Sequence, residues 1–341
     1  MTMARRQGRH QEGTVGDERD IFWDERDLPR PTRDPLQLKR DMDRWGYCMI
    51  AEAVAADTLR VMRERLEELA GTEAGMGDHV FADRVNAADS SNQWVLMLIN
   101  KGEVFLRAVD HPDTRPILEH LLGPEYLLSE SSAHLTRPGN PAMALHTDQW
   151  WMPPPVMPGE RHQPGGTITR EGAVQGPLRK ATQAIAAPMV AQTMLYVSDF
   201  TEANGATRLV PGSHMTGSQP DQSVPHVVPS IAAEGPAGTI AIWEGRTWHS
   251  AGPNTSNETR YGMPTLYAAP QMRTLMNFTI GTRGGIVDEA PERLRQLLGF
   301  RIWSGYGSTG EMGAEWARSG DAIAADMDRR NTGDPSLVHP D

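Results

Sequence analysis

"YLLSESSAHLTRPGNPAMALHTDQWW", residues 126–151, is where the chain changes texture. Upstream, apolar residues recur every three or four positions. Here they come in short runs broken by turn signals such as RPGNP. The same rhythm continues in VAQTMLYVSDF, ATRLVPGS, GTIAIWEG and RYGMPTLYA, with EANG as a further turn. Short strands separated by turns predict an all-β sandwich or barrel over the middle of the chain. Within the quoted stretch, His146 and Asp148 fall two apart on a predicted strand, so both side chains face one side of it.

His-x-Asp alone says little, and the chain holds three such sets: His111/Asp113, His146/Asp148 and His339/Asp341. Pro112 fits poorly into a sheet, and Asp113 stands where a helix needs an N-cap. The third set ends the chain. His146 and Asp148 are left as two groups on one face of a rigid strand, a good way to hold a metal. A 2-His-1-carboxylate site binds Fe(II) on one octahedral face and leaves three positions open. Among the other histidines, His249 follows a strand and a tight turn in GTIAIWEGRTWHSAG. Eleven residues on stands Arg260, and the turn-rich GPNTSNET between them predicts neighbouring antiparallel strands. An inward-facing arginine needs an anionic partner, and it grips a carboxylate with two parallel hydrogen bonds. Open metal positions beside a carboxylate clamp suit a 2-oxo acid cosubstrate.

Before residue 125 the chain reads as helical. DPLQLKRDMDRWG starts at Asp34 and ends at Gly46, and AADTLRVMRERLEELAG ends at Gly71. YCMIAEAV between them reads as a short buried strand, and HPDTRPILEHLLGPE as a third helix capped by Asp113. Residues 1–34 are expected to form a mobile arm, 35–310 one domain, and 311–341 a polar tail. The Pro- and Gly-rich segment 152–188 follows the ligand strand directly and reads as a lid over the substrate. With 341 residues and 38% hydrophobic content, the chain can bury a substantial core. A net charge of −11 without a basic cluster excludes a general nucleic-acid binder. No apolar run reaches the ~18 residues of a membrane span. The single cysteine, Cys48, reads as a core residue and excludes an internal disulfide. Together with a start that lacks the hydrophobic region of a secretory signal, it points to the cytoplasm.

HTD, NGATRLVPGSH and WHSAG with an arginine eleven residues beyond its histidine form a specific spaced set. With WGYCMIAEAVAADTLRVMRERLEEL, this set resembles the phytanoyl-CoA dioxygenase family of Fe(II)/2-oxoglutarate-dependent oxygenases, over about residues 40–305. The resemblance implies a mainly β fold with packed helices, the double-stranded β-helix or cupin-like jelly roll. It implies iron held by His146, Asp148 and His249, with 2-oxoglutarate's far carboxylate on Arg260 and O2 as third reactant. Related halogenases carry a small residue at the Asp148 position, so the aspartate favours oxygenation. Some members place a serine two positions after the distal histidine to help hold 2-oxoglutarate. Here that position is Ala251, and Ser250 would point to the other face, so Gln192 or Thr193 is expected to take over. Gln149 is a further candidate for reaching the cosubstrate. Trp150 shares the predicted face of His146 and Asp148, either lining the substrate pocket or filling core. Met143, Leu145 and Thr147 then belong to the core face. Trp150, Trp151, Met152 and the following prolines suggest a small, apolar substrate. The implied reaction is hydroxylation or another oxidation of a C–H bond, giving succinate and CO2. Two other readings stay open: a zinc-dependent hydrolase, and a non-catalytic binding protein of the same fold.

Overall fold

Alternation of side chains along the strands builds two cores, one on each face of a six-stranded sheet. The computed structural model describes residues 23–75, 91–150, 156–161, 163–169, 178–221, 228–310 and 313–317. The main sheet runs in the order β1 (Tyr47–Ile50), β7 (Ile240–Glu244), β4 (Val190–Tyr196), β9 (Arg260–Ala268), β3 (Leu127–Thr136) and β2 (Asn92–Leu96). All its neighbours are antiparallel. One face turns Cys48, Ile242, Leu195, Met263 and Leu135 toward the helices. The other turns Tyr47, Trp243 and Met194 into a second core. That core is shared with a smaller antiparallel sheet of β6 (Ile231–Ala232), β5 (Thr207–Leu209) and β8 (His249–Ala251), through Leu209 and Ala206. Two facing antiparallel sheets with helices on one outer side make a mainly β, cupin-like jelly roll, the double-stranded β-helix.

The first helix forms where local chemistry dictates. In α1 (Pro35–Trp45) the Asp34 carboxylate accepts the Leu36 N–H at 2.9 Å, and Gly46 closes the helix at φ 78°. The second helix, α2 (Ala56–Gly75), buries Leu59, Met62, Leu66 and Ala70 and runs past Gly71, where the sequence predicts its end. A glycine costs a helix interior only about 1 kcal/mol, and the last turn is held by Glu73 paired with Lys101. Next come α3 (Glu103–Val109) and α4 (Arg115–Leu122). Asp113 does not cap α4: Thr114 stands at that position, and the Asp113 carboxylate pairs with Arg33 at 2.7 Å. After β9 come α5 (Phe278–Gly281), α6 (Gly284–Glu289) and α7 (Glu292–Leu297), the last burying Leu294 and Leu297 in the helix-side core. Cys48 lies buried in the same core, and burial pushes its thiol pKa far up.

The expected arm divides in two. Residues 1–22 lie outside the described residues, but Thr32 bridges Ile50, and Trp23 and Leu28 pack against the second core. In the expected tail, the Ala317 N–H donates to the Phe300 carbonyl at 2.7 Å, and residues 318–341 lie outside the described residues. The expected lid, 152–188, also falls partly outside them; its described parts carry no strand. No described helix is long and apolar enough to cross a membrane.

Candidate metal and cosubstrate site

The segment carrying His146 and Asp148 is not a regular strand. It is extended chain with a single bridge, in which His146 and His249 exchange both backbone hydrogen bonds at 2.9 Å. The Thr147 hydroxyl then donates to the Gln149 carbonyl at 2.8 Å, curling the chain just after the bridge. The two imidazoles lie on one side, with ring centroids 4.3 Å apart. Nδ1 of His146 is 3.1 Å from the Ala144 carbonyl, and Nδ1 of His249 is 3.0 Å from that of Thr247. A carbonyl only accepts, so each Nδ1 carries the proton and each Nε2 keeps its electron pair for a ligand. The Asp148 carboxylate completes the group, 3.5 Å from His249 Nε2 and 4.0 Å from His146 Nε2. The three ligand atoms lie within 4.8 Å of one another. Oδ2 of Asp148 is buried with no hydrogen-bond partner among the described residues. Two imidazole nitrogens converging on such an oxygen fit a divalent cation with N and O ligands.

Arg260 approaches from the opposite sheet. The sequence predicts it on the strand next to His249, but residues 252–259 cross from the small sheet to the large one. Asn254 pins the crossing, its amide donating to the carbonyls of Thr136 and Glu258 at 2.9 and 2.8 Å. The Arg260 guanidinium is 2% exposed, donates to Thr136 Oγ1 at 2.6 Å and to the Gly205 carbonyl, and lies 4.5 Å over the Phe200 ring. Its Nε has no partner, and no described carboxylate pairs with it. Burial lowers its pKa to about 10, so it stays cationic at neutral pH. Gly205 supplies its carbonyl from a left-handed turn at φ 82°, where a Cβ would stand 2.7 Å from the Gly252 carbonyl oxygen. The sequence assigns Asn204 and Gly205 only a turn. That turn also holds the arginine.

A cavity of about 280 Å³ lies between the sheets, bordered by His146, Asp148 and His249 on one side and Arg260 on the other. Met194, Trp243, Pro264 and Leu266 make much of it apolar. Of the two helper candidates, Gln192 lines the cavity. Thr193 does not; alternation turns it to the helix side, with its hydroxyl 3.5 Å from the Thr265 carbonyl. Gln149 also turns away: its amide donates to the Ala187 carbonyl at 2.9 Å and accepts the Met189 N–H at 2.7 Å. Trp150 is 48% exposed and does not border the cavity, because the curl at Thr147 ends the alternation that would have kept it beside Asp148. Met143, expected in the core, borders the cavity instead, and so do both Ser250 and Ala251.

Three cavity residues carry no signal that sequence reasoning used: Trp94, Glu130 and His134. The spacing of Glu130, Ser132, His134 and Thr136 places them on one strand face, but period two does not say which face looks inward. Burial raises the Glu130 carboxyl, whose oxygen accepts the Ser132 hydroxyl at 2.7 Å. Burial lowers the His134 imidazole to about 3, and the ring stacks on Trp94 at 4.1 Å.

A family model described as phytanoyl-CoA dioxygenase (PhyH) matches residues 42–262. The chain is 27% identical to Dioxygenase af480 of Aspergillus fumigatus over 254 residues, 73% of this chain and 71% of that protein. It is 24% identical to the iron/alpha-ketoglutarate-dependent dioxygenase ausO of Aspergillus calidoustus over 282 residues, 80% of this chain and 85% of that one. The crystal structure of the epimerase SnoN with Fe3+, alpha ketoglutarate and nogalamycin RO aligns with a TM-score of 0.49 at 17% identity. The alignment covers 73% of this chain and 91% of that one.

Proposed function

The chain belongs to the phytanoyl-CoA dioxygenase family, and from that premise we propose that it is an Fe(II)- and 2-oxoglutarate-dependent oxygenase oxidising a C–H bond of a small, apolar organic substrate. One observation carries the reading: a His-Asp-His cluster and a buried arginine with no counter-ion among the described residues border one cavity from opposite sheets. His146, Asp148 and His249 hold the metal, and Arg260 holds the far carboxylate of 2-oxoglutarate. When bound, the metal and cosubstrate supply the oxidising chemistry, consuming O2 and releasing succinate and CO2.

The protein's own share is orientation and enclosure. The carbonyls of Ala144 and Thr247 fix both imidazoles with Nε2 toward the cavity. Thr136 and Gly205 set the tilt of the Arg260 guanidinium before any ligand arrives, so little is lost in ordering it. Met194, Trp243, Pro264 and Leu266 exclude water and favour an apolar substrate. Hydroxylation is the default outcome. The buried Cys48, alone in the sequence, supports work in a reducing compartment, the cytoplasm. Zinc hydrolysis leaves Arg260 without a purpose, and a binding-only role leaves the intact His146, Asp148 and His249 set without one.

The test needs no substrate. Fe(II) and 2-oxoglutarate added to metal-free protein under nitrogen should give the weak visible band of a chelated 2-oxo acid. His146→Ala should lose it. Bound metal without a band in the native protein would refute the reading.

A further inference from the structure

Arg260 is not the only buried donor on its side of the cavity that lacks a partner. Trp94 Nε1 and His134 Nε2 are buried without a hydrogen-bond partner among the described residues, and both residues line the same cavity. The strand register gathers them. Trp94 pairs with His134 across β2 and β3, and His134 pairs with Gly262 across β3 and β9, two positions from Arg260. Thr136, two positions from His134 on β3, holds the Arg260 guanidinium. Three neighbouring strands therefore present indole, imidazole and guanidinium in one row.

The rings of Trp94 and His134 stack 4.1 Å apart with 16° between their planes, so each fixes the direction of the other's edge. Burial and the nearby Arg260 charge keep His134 neutral, and in its Nε2–H tautomer it would offer an N–H without adding a second positive charge. Buried donors in folded proteins nearly always have acceptors. Three orphans in one row, one of them a cation with no counter-ion among the described residues, call for an anion with several lone pairs. A carboxylate has about four acceptor sites, more than one guanidinium fills.

We propose that Trp94 and His134 complete the cosubstrate's carboxylate site, their N–H groups donating to the far carboxylate of 2-oxoglutarate beside Arg260. They then do the work of the hydroxyl absent at Ala251. The inference rests on the 2-oxoglutarate reading above.

The test compares two acids under nitrogen on the Fe(II)-loaded protein: 2-oxoglutarate, and 2-oxobutyrate, which keeps the chelating end but lacks the far carboxylate. Trp94→Phe and His134→Phe keep the stacked rings and remove one donor each. Each should weaken 2-oxoglutarate about tenfold, as befits a hydrogen bond to a charged acceptor, and leave 2-oxobutyrate unchanged. His134→Gln, which retains an N–H, should recover part of the loss. Structural damage alone would weaken both acids together, and an unchanged preference in the two phenylalanine variants would overturn the proposal. Arg260→Ala separates the two levels. If it abolishes the preference and the phenylalanine variants do not, the arginine clamp stands and the donor row falls. If the native protein shows no preference, the 2-oxoglutarate reading falls and takes the donor row with it.

Discussion

Gln149 follows Asp148 directly, yet its side chain faces away from the cavity, and Gln149→Met separates these two facts. Methionine matches glutamine in length and offers no hydrogen bond. The substitution strips the Ala187 carbonyl and the Met189 N–H of their partners, at 2.9 and 2.7 Å in the native protein. Gln149 is 3% exposed, while both partner segments are half open to water. Each lost bond should therefore cost near the ordinary net value, about 1 kcal/mol, rather than that of a fully buried orphan. About 2 kcal/mol in a domain of this size lowers the thermal midpoint by roughly 3–4 °C. Calorimetry on metal-free protein reads this directly, and an anaerobic titration reads the affinity for 2-oxoglutarate, which should stay within about twofold of native. An unchanged midpoint with cosubstrate binding weakened tenfold would refute the reasoning and restore Gln149 to the site.

Buried His134, held near 3, and His214, also lowered by burial, are neutral in the fold, whereas an unfolded imidazole protonates near 6.5. Folded values below unfolded ones mean full stability above about pH 6.5 and loss as the pH falls below it, at about 1.4 kcal/mol per unit for His134. Glu130, whose carboxyl is raised by burial, acts in the opposite sense, gaining stability as the pH falls toward the unfolded value of about 4.3. Thermal midpoints should fall from pH 7.5 to 5, and His134→Phe should flatten the slope; the same slope in both proteins would contradict a buried neutral imidazole. Gly205→Ala puts a Cβ 2.7 Å from the Gly252 oxygen at φ 82°. It should lose at least about 1–2 kcal/mol of stability and weaken 2-oxoglutarate severalfold through the displaced Arg260; native affinity in the variant would show that the carbonyl does not matter. Glu244 and Arg246 form a buried pair at 2.7 Å, so Glu244→Gln should cost about 3–5 kcal/mol in urea unfolding. A double replacement by methionine should cost less than the sum of the single ones.

Much of the fold was legible where the cause is local. Asp34, Pro35 and Gly46 bracket α1 through caps that lie within the segment itself. Alternation in VAQTMLY and RYGMPTLYA separates two strand faces. His146, Asp148, His249 and Arg260, named from their spacing, do border one cavity. The misreadings share a different kind of cause. A turn-rich linker such as GPNTSNET looks the same whether it closes a hairpin or crosses between sheets, and here it crosses. Parity told Gln192 from Thr193 but not which of them faces inward. One hydroxyl, that of Thr147, curls the chain and removes Trp150 from the face that strict alternation assigns it. Trp94 in NQWVL carries no signal in the sequence, because its place beside His134 exists only once β2 lies beside β3.

The His146, Asp148 and His249 trio belongs to the small sheet with its edge segment, and Arg260 opens the last strand of the large one. A 2-oxo diacid gripped at both ends would be a rung between two rails. Sheets stacked face to face stand about 10 Å apart, a gap that side-chain packing fixes and a small ligand cannot stretch. The site then works as a caliper: acids one methylene shorter or longer carry the same charges but meet the wrong span. The rung also ties the rails together, so a loaded molecule should resist any opening that parts the two sheets.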